Sequence, residues 1–274
     1  MIQGGPWIRT KAVQLTVDNY KALVRPLDTA DLDFDIYRAH PLPEPVLRCV
    51  RYMHDIEHHT VCYLRDLLVT SAHRDPEITT FLTFWSYEEY WHGEALARVL
   101  EAHGEPAGVV RIRRTRASTS IKDRLAPMLH WAGSAVAGSS LTAVHMTWGA
   151  LNEWTTQAGY ARLAKLSEHP TFAEMLRRIM RQEGRHIDFY ASQAAARLSA
   201  NPRAQRLTRM ALTRWWSPVG SDVMPGPEVR HLITYLFGGA EGEDMARRID
   251  RRLQKLPGLD GLDLALGART RFAA

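Results

Sequence analysis

Two short segments of the chain each place a glutamate three residues before a histidine. SYEEYWHGE (86–94) holds Glu89 and His92, and RQEGRHIDF (181–189) holds Glu183 and His186. Residues three apart on an α-helix lie on the same face, so each pair offers a carboxylate and an imidazole to one point beside the helix. Both groups are common metal ligands. Two such pairs on facing helices would therefore suit the binding of two cations.

Two further glutamates stand at matching distances from these pairs. Glu57 lies 32 residues before Glu89, and Glu153 lies 30 residues before Glu183. In a hairpin of two helices, roughly 14 residues on each side of the turn, or about 21 Å, bring both glutamates to one height. The six residues together predict a di-metal site between four helices. One Glu-x-x-His arises by chance in about every chain of this composition, so exposed or salt-bridged residues on an ordinary bundle are the alternative interpretation.

Helix signals dominate the chain and define the segments that must position these residues. Proline in HPLPEP (40–45) starts a helix that runs to about residue 70, and Asp75-Pro76 starts a second that ends at Gly104. A third helix, broken near Gly138, reaches about residue 167. A fourth is predicted to open with the capping box TFAE (171–174) and to close before Asn201-Pro202. Residues 105–125 are predicted to be a basic connection, and residues 1–40 give no assignment.

Shorter amphipathic segments follow the four long helices, around 203–216, 227–238 and 241–256, before a Gly-rich tail that we expect to be mobile. We predict one all-α domain over residues 1–274, with a four-helix core at about 44–200 and a helical extension at about 203–256.

Composition favours a soluble chain that meets an anionic partner. The net charge is +5 and the sequence pI is near 9.3. Cys49 and Cys62 would lie about 20 Å apart on one helix, too far for a disulfide, so reduced thiols and a cytoplasmic location are expected. The first residues lack the apolar segment of an export signal. The uncharged stretch 126–152 contains too many polar residues to cross a bilayer, so no membrane insertion is expected.

Four segments resemble one known protein family. EEYWHGE (88–94) is similar to its EE-x-x-HG segment, and QEGRH (182–186) is similar to its DE-x-R-H segment. Glu57 in IEHHTVCY falls where the first helix of the family supplies a glutamate, and NEWTT (152–156) resembles its third-helix segment. The family is that of the ferritin-like non-haem di-iron carboxylate proteins, most closely the soluble acyl-carrier-protein desaturases. The resemblance covers about residues 45–200.

The resemblance implies a ferritin-like four-helix bundle with two bound iron ions, and manganese in one or both positions as the alternative. It assigns Glu57, Glu89, His92, Glu153, Glu183 and His186 as metal ligands. Thr156 is implied to lie near the oxygen site, and Glu88 and Gln182 just outside the ligands. Gln182 stands where the family has an aspartate that orients a ligand histidine. A glutamine still accepts a hydrogen bond but leaves the imidazole less basic.

The favoured reaction is desaturation of an acyl chain on an acyl-carrier protein, with O₂ and an external reductant such as ferredoxin, by a homodimer. RIRRTR (111–116) supplies Arg111, Arg113, Arg114 and Arg116 as the expected contact for the acidic carrier; a solvated connection is the alternative.

Other functions stay open at this point. One alternative is a di-iron hydroxylase or N-oxygenase for a small molecule or RNA, although Ile179 stands where the N-oxygenase branch has an extra histidine. Another is a metal-binding protein without catalysis. His54 is a further candidate ligand, and Tyr190 a candidate radical site, although packing roles are the simpler interpretation.

Overall fold

The computed structural model describes residues 16–117, 121–199 and 201–273, except for the side chains of residues 122, 123 and 273. The start of the chain, where an export signal would lie, is outside the described residues. Within them the structure has twelve α-helices, one 3-10 helix (Ser71–Arg74) and no strand, so the predicted all-α class is confirmed.

The helices are numbered in chain order. They are α1 (Val17–Lys21), α2 (Ile36–Ala39), α3 (Glu44–Leu68), α4 (Pro76–Ala102), α5 (Gly108–Ala117), α6 (Ile121–Ala137), α7 (Ser140–Leu166), α8 (Pro170–Ser199), α9 (Pro202–Trp215), α10 (Gly226–Leu236), α11 (Gly239–Leu253) and α12 (Leu264–Ala273).

Four long helices form two antiparallel hairpins, α3 with α4 and α7 with α8. Prolines in the first turn start α3 and α4, and the Asp75 side chain accepts hydrogen bonds from the first backbone N–H groups of α4. Gly104 follows α4 with φ of 74°, and Gly138 separates α6 from α7 with φ of 58°. The predicted break at Gly138 and the predicted bounds of the long helices agree with the structure to within a few residues.

The sequence prediction was wrong about three segments. Residues 105–125 are not a plain connection, because they contain α5 and the start of α6. The capping box at 171–174 does not form. Helix α8 begins at Pro170, and the His169 Nδ1 atom accepts the hydrogen bond from the backbone N–H of Phe172. The C-terminal tail contains α12, whose first backbone N–H groups donate to the buried Asp250 carboxylate.

The C-terminal helices cover one side of the hairpins. Helices α9 and α11 pack against α7, α10 packs against α3, and α12 packs against α10 and α11. They close off the side of α3 and α7 on which a large cavity lies.

Apolar side chains form two clusters at different heights of the four long helices. On α4, Ile78–Trp85 belongs to one cluster and Ala95–Leu100 to the other. On α8 the order is reversed, with Phe172–Ile179 in the second cluster and Phe189–Leu198 in the first. The segments between them, at residues 88–92 and 182–186, carry four of the six predicted ligands. The fold therefore places a polar group of side chains between two apolar layers.

Candidate metal centre

The structure brings all six predicted ligands together between the two hairpins. The Glu183, His92 and His186 side chains are fully buried, and the other three are at most 6% exposed. Ligand atoms that lie within 4.8 Å of one another form two groups: Glu57, Glu89, His92 and Glu183 form one, and Glu89, Glu153, Glu183 and His186 form the other. Glu89 and Glu183 belong to both groups. These buried groups could hold metal ions.

Gln182 fixes the orientation of His92. The Gln182 side-chain amide donates to the backbone carbonyl of Arg25, 3.1 Å away, so its Oε1 atom faces His92. His92 Nε2 lies 2.9 Å from that oxygen and donates its hydrogen to it. The other ring nitrogen, Nδ1, faces the carboxylates of Glu89 and Glu183, each 3.4 Å away, where it can carry a proton or bind a metal ion in its place.

Glu88 fixes His186 in the corresponding way. His186 Nε2 lies 3.0 Å from Glu88 Oε2, and Nδ1 faces Glu183 Oε2 at 3.0 Å and Glu89 Oε1 at 3.1 Å. The hydroxyl of Tyr20 donates to Glu88 Oε2, and the Arg185 guanidinium donates to Glu88 Oε1. Burial raises the pKa of Glu88, but the hydrogen bonds from His186 and Tyr20 and the charge of Arg185 outweigh it, so the pKa falls below its usual value. Glu88 therefore accepts hydrogen bonds as a carboxylate.

Aromatic side chains donate hydrogen bonds to Glu57 and Glu153, each of which belongs to one of the two groups only. Trp85 Nε1 donates to Glu153 Oε1 at 2.9 Å, and the Tyr160 hydroxyl donates to Glu57 Oε1. The sequence prediction did not assign roles to Tyr160 or Tyr20. Tyr160 lies seven residues after Glu153, two turns along the same helix face, and that spacing could have identified it. Tyr20 comes from the segment that gave no sequence signal.

The cluster requires compensating positive charge. Burial raises the pKa of Glu57 and Glu153 well above the usual glutamate value, and the carboxylates of Glu89 and Glu183 add to the effect. Burial and the charge of Glu89 oppose ionisation of Glu183, but the nearby imidazoles of His186 and His92 lower its pKa. Burial lowers the pKa of His92, but the contacts with Glu183 and Glu89 have the larger effect. Together they raise the pKa of His92 to about 9. Protons at these groups balance the charge, and bound cations would compete with them.

Two atoms at the centre of the cluster lack hydrogen-bond partners. They are His92 Nδ1 and Glu183 Oε1, which are buried and 3.4 Å apart. Leaving buried polar atoms unpaired is costly unless another species satisfies them. The nitrogen belongs to an imidazole that faces carboxylates, and this mixed set of nitrogen and oxygen atoms suits iron, manganese or zinc. The residues present therefore fit metal ions.

The cluster opens onto a cavity of about 1190 Å³. Glu57, Glu89 and Glu153 lie in its wall. One face of α7 lines it from Leu141 to Tyr160, a length of about 28 Å at the helical rise. The opposite wall comes from α3, α6, the segment 215–223 and α10, and most of the lining is apolar. An elongated molecule therefore fits beside the carboxylates.

The other candidate residues have different surroundings. Thr156 is half-buried in the cavity wall, next to Glu153. His54 is buried outside the cluster, with Nδ1 at 3.0 Å from Asp55 Oδ1 and Nε2 accepting from the Gly108 N–H, so it is not placed as a ligand. Tyr190 packs edge-on against Phe81 and Trp85 and also lines the cavity.

The four arginines of RIRRTR differ in their contacts. Arg111 forms a bidentate ion pair with Asp55, and Arg116 donates to the backbone carbonyl of His58. Arg113 and Arg114 are exposed. Two of the four arginines predicted to contact the carrier protein therefore bind groups on α3.

No protein-family model matches the chain. A comparison with curated proteins finds no match either. The motif resemblance to the di-iron carboxylate proteins therefore has no support from similarity over the whole sequence.

Proposed function

We propose that the protein is an O₂-dependent oxidase or oxygenase that binds two iron ions at the Glu–His cluster and oxidises an elongated, mostly apolar organic substrate. The observation that carries the proposal is the continuity between the buried ligand cluster and the cavity. Four ionised glutamates carry four negative charges, and two divalent ions would neutralise them inside an apolar core. A metal-storage role would not use a long apolar cavity at the ligands.

The two ligand groups support a division of roles. Glu89 and Glu183 belong to both groups, so each could be a ligand at either metal position. Glu57 with His92 would complete one position, and Glu153 with His186 the other. The imidazoles would bind through Nδ1, because Gln182 and Glu88 occupy their Nε2 atoms.

Iron bound at the cluster would react with O₂ and oxidise a C–H bond of the substrate. The residues of the chain position the substrate and control protons. The α7 face aligns the substrate past Glu153, and the apolar layers above and below keep water away from the cluster. The Trp85 and Tyr160 donors hold the outer carboxylates, and the Thr156 hydroxyl lies in the cavity wall, where it can hold a proton.

Desaturation of an acyl chain is the favoured reaction, because the motif resemblance points to it and the cavity length suits an extended chain. An external electron donor such as ferredoxin is then required, because reduction of O₂ to water takes four electrons and desaturation of the substrate supplies two. The homodimer and the carrier protein remain predictions.

The proposal is tested by loading the protein with Fe(II) without oxygen, measuring the metal content and then adding a pulse of O₂. We expect two irons per chain and a transient optical absorption. Glu89→Ala and Glu183→Ala should each lose two-metal binding while far-UV circular dichroism stays helical.

Glu243→Ala is the matched control, because Glu243 lies on α11 and pairs with Arg247 at the surface. It should bind iron as the wild type does. Two irons per chain in both Glu89→Ala and Glu183→Ala would reject the ligand assignment. Iron binding without any reaction with O₂ would reject the oxidase and leave a metal-binding protein.

A further inference from the structure

Helix α6 exposes an apolar surface that is large for a single helix. Within the described part of the chain, six of the exposed large hydrophobic side chains lie on it, with exposures from 46% to 80%: Ile121, Leu125, Met128, Leu129, Trp131 and Val136. Leu125, Met128 and Val136 follow helical spacing, do not line the cavity and form one stripe. A helix that is apolar on its outer face needs a partner for that face.

The opposite face of α6 lines the cavity, so the stripe faces outward. The residues of α6 that line the cavity next to the metal cluster are Ile121, Ala126, Leu129, His130 and Gly133. Ile121 and Leu129 are also exposed, so they lie at the edge between the two faces. The end of the helix is fixed to the short 3-10 helix, because the Ser71 N–H donates to Ser134 Oγ at 2.7 Å and the Ser71 hydroxyl donates to the Gly138 carbonyl. The stripe is therefore held in place on the outside of the cavity wall.

Basic residues accompany the apolar stripe. Between residues 108 and 137 the sequence has six arginines and lysines and only one acidic residue, Asp123. Helices α5 and α6 both pack on α3, and Arg113, Arg114 and Arg124 are exposed. Apolar side chains beside arginines are typical of helices that lie in the interface of an anionic membrane.

We propose that α5 and α6 form a docking surface for an anionic lipid bilayer. The apolar stripe enters the interfacial region, with Trp131 at the headgroup level, and the arginines contact the lipid phosphates. The helix lies in the membrane plane, since no described helix is long and apolar enough to span a bilayer. Bound in this way, the outer wall of the cavity faces the lipid, so an apolar molecule could pass from the bilayer to the cavity. The docking itself does not depend on the metal centre.

Two other partners explain the surface less completely. A second copy of the chain, packed stripe against stripe, would bring two sets of arginines close together with one acidic residue each to balance them. An acidic carrier protein would account for the arginines but would leave the apolar stripe in water. An anionic bilayer satisfies both features.

The test is co-sedimentation of the full chain with vesicles of phosphatidylcholine, alone or mixed with phosphatidylglycerol. We expect binding to the anionic vesicles that weakens as salt is raised. Met128→Ser with Val136→Ser should reduce the binding constant by roughly tenfold or more. Arg113→Glu with Arg114→Glu should have an effect of similar size.

Matched controls make the same chemical changes elsewhere on the surface. Leu23→Ser with Met210→Ser removes two exposed apolar side chains, and Arg251→Glu with Arg252→Glu reverses two exposed charges on α11. These variants should bind vesicles as the wild type does, apart from the weaker effect of lower net charge. Thermal unfolding of every variant confirms that it is folded.

Several outcomes would overturn the proposal. One is the absence of vesicle binding, and another is an equal loss in the stripe variants and their controls. If the protein self-associates but does not bind lipid, and Met128→Ser with Val136→Ser abolishes the self-association, the surface binds a second copy of the chain. If the protein binds an acidic carrier but not lipid, and this binding needs Arg113 and Arg114 but not the stripe, the surface is a carrier-binding site.

Discussion

The two ligand histidines occupy corresponding places in the hairpins but are held by different groups. His186 donates to the Glu88 carboxylate, whereas His92 donates to the neutral Gln182 amide. A carboxylate acceptor makes an imidazole a stronger metal ligand than an amide does. The partner of each histidine comes from the other hairpin, because Glu88 directly precedes Glu89 and Gln182 directly precedes Glu183. The two metal positions should therefore differ in affinity, with the weaker one beside His92.

Replacing Gln182 tests this difference at the residue scale. Gln182→Leu removes the acceptor of the His92 Nε2 hydrogen, so we expect metal affinity to fall by roughly 10–100-fold. Gln182→Glu keeps an acceptor and adds charge, so it should bind at least as tightly as the wild type. Competition with a coloured chelator measures both.

Gln157→Leu serves as the control for Gln182→Leu. Gln157 is a half-buried glutamine on α7 whose side chain donates to the backbone carbonyl of Met180, away from the ligands. Its loss should leave metal affinity unchanged. Equal affinities for Gln182→Leu and the wild type would mean that Gln182 does not orient His92.

At the scale of elements, each hairpin has one glycine that lies directly against an aromatic ring of the facing helix. A Cβ atom on Gly93 would lie 2.7 Å from the ring of His58 on α3, and one on Gly149 would lie 2.4 Å from the ring of Tyr190 on α8. Tyr190 packs edge-on against Phe81 and Trp85, so moving its ring would disrupt these contacts. These glycines therefore set the spacing of the helices that carry the ligands.

Gly149→Ala should destabilise the fold by about 1–3 kcal/mol, because the methyl group forces the Tyr190 ring out of its packed position. Gly184→Ala is the matched control within the same hairpin, since a Cβ atom there meets nothing within 4 Å. It should stabilise the fold by about 0.5–1 kcal/mol through helix propensity. Urea unfolding of the metal-free proteins compares them. Equal stability of the two variants would contradict the close packing of α7 and α8.

At the scale of the whole molecule, the ligand cluster adds polar contacts between the two hairpins to those of the two apolar layers. Hydrogen bonds from Tyr160 to Glu57, from Trp85 to Glu153, and from His186 to Glu88 all cross from one hairpin to the other. A metal ion held by residues from both hairpins would connect them further. Metal binding should therefore stabilise the folded protein against unfolding.

Adding divalent metal to the metal-free protein should raise the midpoint of thermal unfolding. Metal at about 100 times its dissociation constant contributes about 2.7 kcal/mol, which corresponds to a rise of roughly 5–10 °C for a chain of this size. The rise should vanish in Glu183→Ala and persist in Glu243→Ala. An unchanged midpoint in the wild type with saturating metal would mean that the cluster is not a metal site. Differential scanning calorimetry provides the measurement.

The sequence by itself determined the helix class, most bounds of the four long helices and the six side chains that meet between them. These features follow from local chemistry. Proline and aspartate start helices through backbone hydrogen bonds, and a fixed rise of 1.5 Å per residue brings residues at matched distances from a turn to one height. Glu57 and Glu89, and Glu153 and Glu183, therefore meet in any close-packed pair of hairpins with these lengths.

Only the tertiary structure decided which other residues touch the ligands and what lies beside them. Tyr20 reaches Glu88 from a helix 68 residues away, and Tyr160 reaches Glu57 across the hairpins. The cavity is enclosed by α6 and the C-terminal helices, and the apolar stripe of α6 is exposed because its other face is already used. Such contacts depend on how distant segments pack, and neither the periodicity of one helix nor the spacing within one hairpin specifies that packing.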